Sequence, residues 1–221
     1  MNIYKDKVIL IIGGQNLIDA AFVQHFLDGA AREVRILGSS ETAIQSLREE
    51  LNLEPGSLNQ KLCFFVGDMT DNAYLEEAVT GADYVLFIPS IPRPFDCEVA
   101  PAVTTITFLE TITGVIHVAT DCKVEKIVVI SPNRQEPLEK MPDMLAALME
   151  TVVVAEGRYL GKNSAVTICC ARIKGHLGEL ADFAFEKADN CDLLMKTNDR
   201  IQCIPCEHFD LLSSYNDIQF N

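Results

Sequence analysis

Five apolar residues, Val8-Ile9-Leu10-Ile11-Ile12, run straight into Gly13-Gly14-Gln15-Asn16-Leu17-Ile18-Asp19, and this junction narrows the possible folds more than any other part of the chain. A β-branched run broken by paired glycines and followed at once by a helical pattern (Ile18, Ala21, Phe22, His25, Phe26) predicts strand, tight turn and helix. In that setting the pattern Gly-x-x-Gly-x-x-Gly lets backbone approach a pyrophosphate at the helix N-terminus. Here only the first glycine of that spacing is kept, because the second position is Asn16 and the third is Asp19. A side chain therefore stands where backbone should meet phosphate. Asp19 also brings negative charge to the helix end that should receive an anion.

Further along, apolar β-type runs alternate with helical patterns. The runs are Val8 to Ile12, Val34 to Leu37, Leu62 to Val66, Tyr84 to Ile88, Ile127 to Ile130 and Ala165 to Cys170. The helical patterns cover about 17–28, 41–51, 73–80, 100–121 and 138–160. Such alternation predicts right-handed βαβ crossovers, hence a Rossmann-like, doubly wound α/β domain with a mainly parallel sheet and helices on both faces. A chain of 221 residues, 48% of them hydrophobic, is long enough for one well-filled domain. Residues 1–178 are expected to form the dinucleotide-binding-type domain, with 179–221 a short C-terminal extension packed on it. Within 177–221 the pattern weakens to a helix near 177–187, a pair of short strands over 192–203 and a loose tail from 207.

The formal net charge is −14, from 32 acidic against 18 basic residues. That disfavours nucleic acid and anionic membrane surfaces, which reward Lys/Arg patches. The apolar run after Lys5 and Lys7 is too short for a signal-peptide core or a membrane span, and no other membrane span is expected. Eight cysteines without a secretion signal fit reduced thiols, so a cytoplasmic protein is expected.

Several separated stretches resemble the extended short-chain dehydrogenase/reductases, and within them the sugar-nucleotide 4,6-dehydratases of polysaccharide biosynthesis. They include Ile11-Ile12-Gly13-Gly14, Val66-Gly67-Asp68-Met69-Thr70-Asp71, Gly81-Ala82-Asp83-Tyr84-Val85 and Cys97-Glu98-x-x-Pro101. The series continues through Val124-Glu125-Lys126-Ile127-Val128-Val129-Ile130-Ser131, Met149-Glu150-x-Val152-Val153-Val154-Ala155 and Val166-Thr167-Ile168-Cys169-Cys170-Ala171-Arg172. The resemblance covers residues 7–178 and implies a nicotinamide cofactor, bound by Gly13, Gly14, Gln15, Asn16, Ile18, Ser39, Asp68 and Met69. Asp68-Met69 corresponds to the pair that contacts adenine, although an ordinary strand-end turn explains it equally well. At Gly38-Ser39-Ser40 relatives carry Ser-Arg-Asp, so the arginine and carboxylate that hold a 2′-phosphate or ribose diol are missing, and only Ser39 could still hydrogen-bond there.

The catalytic positions depart further. Relatives follow the fifth strand with Ser/Thr and Asp-Lys, where this chain reads Ser131-Pro132-Asn133-Arg134. Asn133 is no carboxylate and Arg134 is permanently protonated, so the pair cannot exchange protons as Asp-Lys does. The family's helix lysine falls on Ala146. Pro89, Pro92 and Pro94 stiffen the loop after the fourth strand. Relatives also use a longer C-terminal region to cap their substrate.

Other groups have plain readings. Cys203 and Cys206 with His208, and Cys191 upstream, could ligate zinc, but one Cys-x-x-Cys without a second knuckle favours ordinary cysteines. His25, His117 and His176 have no nucleophile and carboxylate with which a catalytic set could be built. Met141, Met144, Leu145, Leu148, Met149, Val152 and Val153 form a helical stripe that suits either the core or a dimer seam. The favoured expectation is a non-catalytic relative, a pseudoenzyme that serves as a binding or assembly module with no dinucleotide or weakly held NAD(P). Its partner would be a second copy or an intact relative, with a small-molecule ligand also possible. The alternatives are an active NAD(P)-dependent oxidoreductase, epimerase or isomerase with a rebuilt site, and a small-molecule enzyme that uses no dinucleotide.

Overall fold

A computed structural model describes residues 3–14, 17–52, 61–132, 138–161, 165–172, 185, 193–197 and 200–204. Six strands, β1 (Val8–Gly13), β2 (Glu33–Gly38), β3 (Leu62–Val66), β4 (Tyr84–Ile88), β5 (Lys126–Ser131) and β6 (Thr167–Arg172), form a parallel sheet. β7 (Leu193–Thr197) adds in parallel to β6, and β8 (Arg200–Ile204) pairs antiparallel with β7. The order is β3-β2-β1-β4-β5-β6-β7-β8. The reversal of winding between β1 and β4 opens a crevice at the strand C-termini, where ligands of such folds bind.

Alternation along β1 explains why both faces are covered. Val8, Leu10 and Ile12 point into one core with residues of α3 (Asn72–Val79), α5 (Pro101–Asp121) and α6 (Met141–Gly161). Ile9 and Ile11 point into the other, with Phe22, Val23 and Phe26 of α1 (Ala20–Asp28) and Ile44 and Leu47 of α2 (Glu41–Glu50). Period-two side chains on a strand buried on both faces require an unbroken apolar run, and β1 has one. Phe185 closes the second core by stacking on Tyr84 at 5.1 Å between ring centroids. The rest of the helix expected over 177–187 and the tail from 207 lie outside the described residues.

One expectation needs correction. A short helix, α4 (Pro94–Val99), occupies the loop that its prolines suggested was only stiff. Proline suits the first turn of a helix, where its missing N–H is not needed, and Pro101 opens α5 in the same way. By length and composition α5 is apolar enough to cross a membrane, a test that the core helix of a soluble protein also passes. Part of that character serves the core, since Ile112, Val115, Ile116 and Ala119 are fully buried. Phe108 is buried as well, and Leu109 and Val118 pack against the same core, while Val103 and Ile106 are exposed.

Candidate ligand groove at the strand C-termini

The turn after β1 keeps its dinucleotide-type geometry. Gly13 and Gly14 both have positive φ, at 80° and 66°. A Cβ on Gly13 would lie 2.3 Å from the Ile88 carbonyl oxygen, which itself accepts a hydrogen bond from the Gly14 N–H at 3.0 Å. Leu17 and Ile18 donate back to the Gly14 carbonyl at 2.7 and 3.0 Å, so they belong to the turn. The helix starts at Ala20, three residues later than the apolar pattern suggested.

Beyond the turn, two carboxylates engage the N-terminal end of α1. Asp19 is the N-cap of α1, and its Oδ1 accepts from the Phe22 N–H at 2.8 Å. The Ala20 N–H donates to Glu50 Oε2 at 3.3 Å. Two carboxylates thus occupy the helix end that would otherwise receive a pyrophosphate, and both oppose an incoming anion. Glu50 sits at the far end of α2, so nothing in the local sequence around Asp19 could reveal it. Gln15 and Asn16 lie outside the described residues. Asp19→Ala should lower stability by about 1 kcal/mol, the usual loss for an N-cap carboxylate, as measured by urea denaturation.

Ser39, Asp68 and Met69 come together at the ends of β2 and β3. They line one cleft of about 450 Å³ with Thr70, the β4 loop (Pro89, Ser90, Pro92) and α4–α5 (Asp96, Val103, Thr104, Thr107, Thr111). Phe87, Phe108 and Ile112 supply its apolar floor. The Asp68 carboxylate also makes the strand-end turn, since Oδ1 accepts from the Thr70 N–H at 2.8 Å. That bond holds the Asp68 carboxyl below the usual carboxylate range. The Arg93 guanidinium grips Asp96 through two hydrogen bonds of 2.9 and 3.0 Å.

Ser131 is apart from this cleft and committed elsewhere. It is fully buried at the end of β5, and its hydroxyl donates to Glu150 Oε1 at 2.7 Å. Glu150, on α6 and only 3% exposed, takes a further bond from Arg172 Nε at 2.8 Å and pairs with Arg172 Nη2 through its other oxygen. Serine, carboxylate and guanidinium tie together β5, α6 and β6. Sequence reasoning missed this network, although a glutamate inside an apolar helical run and an arginine ending an apolar strand both hint at buried charge with a partner. Asn133 and Arg134 lie outside the described residues. Ala146, at the family's lysine position, is 1% exposed.

The histidines and cysteines fall in ordinary places. His25 packs edge-on against Tyr4 and Phe26, and His117 pairs with Glu156 at 3.1 Å across α5 and α6. Burial pushes the Cys170 thiol well above its usual value. Cys191, Cys206, His208 and His176 lie outside the described residues, while Cys203 falls on β8. Among the described residues no group of three or more His, Cys, Asp or Glu side chains could hold a metal ion.

The parallel sheet, the winding reversal and the glycine turn define a Rossmann-like domain. The chain belongs to the polysaccharide biosynthesis protein family, whose sequence profile matches residues 9–174. It is 30% identical over 161 residues to a Methanocaldococcus jannaschii protein described as an uncharacterized membrane protein, covering 73% of this chain and 46% of that one. It is 28% identical over 174 residues to a UDP-glucose 4-epimerase of Rickettsia felis, covering 76% and 49%. Among solved structures, a dTDP-glucose 4,6-dehydratase of Streptomyces venezuelae with NAD bound superposes with a TM-score of 0.58 at 22% identity, covering 74% of this chain and 54% of that one. The chain spans about half the length of the curated relatives it matches.

Proposed function

We propose that this chain is a non-catalytic member of the family, a cytoplasmic binding and assembly module built on a nucleotide-sugar enzyme scaffold. The observation that carries this reading is the double carboxylate, Asp19 and Glu50, at the N-terminus of α1. Hydride chemistry needs a held nicotinamide cofactor, and an anionic pyrophosphate meets opposing charge there. The engagement of Ser131 with Glu150 supports the same reading, because its hydroxyl proton points into the protein. The test is turnover: UDP-glucose and dTDP-glucose incubated with NAD and this protein should return unchanged by mass spectrometry. Formation of an epimer or a 4-keto product would instead support the active oxidoreductase or epimerase reading.

Assembly is proposed through α5 and α6, which pack on each other and expose apolar side chains. Val99, Val103 and Ile106 are exposed on and beside α5, as are Met144, Leu148 and Tyr159 on α6. In a chain of net charge −14, such exposed apolar side chains are where a second copy can approach with least repulsion. Light scattering should give a dimer, and Met144→Glu/Leu148→Glu should give a monomer of unchanged circular dichroism. A wild-type monomer that dimerises only with an intact relative would point to a hetero-oligomer.

A further inference from the structure

We infer that the pair His117–Glu156 makes assembly through α5 and α6 pH-dependent, so that two copies of this chain associate more tightly in mildly acidic than in mildly basic solution. This rests on the assembly reading of the same two helices and names its regulation. His117 Nε2 donates to Glu156 Oε2 at 3.1 Å and so links α5 to α6, with the side chains 53% and 25% exposed. Both stand beside the exposed apolar residues. His117 lies about three turns along α5 from Ile106 on the same side, and Glu156 about one turn before Tyr159 on α6. No second charged group pairs with either of them among the described residues. The other charged side chains of α5 are Glu110 and Asp121; the helices packed on it carry Glu76 and Glu77 (α3), Glu98 and the Arg93-bound Asp96 (α4), and Asp143, Arg158 and the Arg172-bound Glu150 (α6). In the open, such a pair contributes little, because water screens it. Where a second copy excludes water, its charge state sets the cost of closing the face. Histidine ordinarily changes charge between about pH 8 and pH 5. Neutral, His117 leaves the Glu156 carboxylate uncompensated as the face closes; protonated, it balances that charge. Association therefore takes up protons and strengthens as the pH falls.

Sedimentation equilibrium of the full chain at pH 8 and pH 6 should give a dimer dissociation constant about fivefold lower at pH 6, the scale of a modest proton linkage at two symmetry-related sites. His117→Gln keeps a hydrogen-bond donor but never carries the charge, and it should hold the dissociation constant near the wild-type pH 8 value at both pH values. That variant separates His117 from the other histidines and from the net charge of the chain. Glu156→Gln removes the charge that needs balancing, so it should tighten the dimer at pH 8 and lose the gain at pH 6, where the protonated His117 has no counter-ion. A wild-type dissociation constant that is the same at both pH values, or a His117→Gln dimer that keeps the wild-type pH dependence, overturns this inference and leaves the assembly reading standing. A monomer at both pH values for the wild type and both variants overturns the homodimer reading together with it.

Discussion

Replacing Arg172 with leucine is expected to lower the unfolding free energy by about 3–5 kcal/mol, the scale seen when one partner of a buried ion pair is removed. The cause is the carboxylate left behind: Glu150 is 3% exposed, and Arg172 binds both of its oxygens. Glu150 keeps the Ser131 hydroxyl bond, but a hydroxyl replaces neither the guanidinium's charge nor the hydration lost at that depth. The double variant Arg172→Leu/Glu150→Leu removes both charges and should recover most of the loss, because a buried pair often contributes little net stability over apolar packing. Urea denaturation of the two single variants and the double gives the coupling directly. Additive losses would show that the pair does not act as a unit.

Gly13→Ala is the second large effect, on the order of 3 kcal/mol. Two costs combine at this position. A φ of 80° is unfavourable for any residue with a Cβ, and the added carbon would lie 2.3 Å from a backbone oxygen, that of Ile88. Nothing flexible can give way, because that oxygen belongs to β4 and receives the Gly14 N–H. By contrast Gly114 meets nothing nearer than 3.9 Å, so Gly114→Ala on α5 should be neutral or slightly stabilising. The pair of variants, compared by thermal unfolding, separates the special turn from glycine content in general.

The legibility of each element in the sequence depends on how that element is stabilised. The six parallel strands could be read because strands buried on both faces need unbroken runs such as Val8 to Ile12 and Tyr84 to Ile88. Their boundaries shifted by no more than two residues. α4 was hidden because prolines in sequence read as loop, although Pro94 only marks the first turn of a helix. The late start of α1 was hidden because Ile18, an apolar residue at helical spacing, instead packs against the glycine turn through its contact with Gly14. Site residues divide along the same line. Asp19 was legible as an anion at a helix end, and its capping bond makes that concrete. Glu50 and the Ser131–Glu150–Arg172 network were not, because each depends on partners brought together from distant elements.

The central claim is that the nucleotide fold persists while its anion site is filled by the protein's own carboxylates. It is tested most directly by calorimetric titration of the protein, shown by mass spectrometry to carry no co-purified nucleotide, with NAD, NADH, NADP and NADPH. The account predicts no saturable heat at millimolar cofactor for the wild type, and measurable NAD binding once Asp19→Gly, Glu50→Gln and Asn16→Gly are combined. Saturable micromolar binding by the wild type would contradict it.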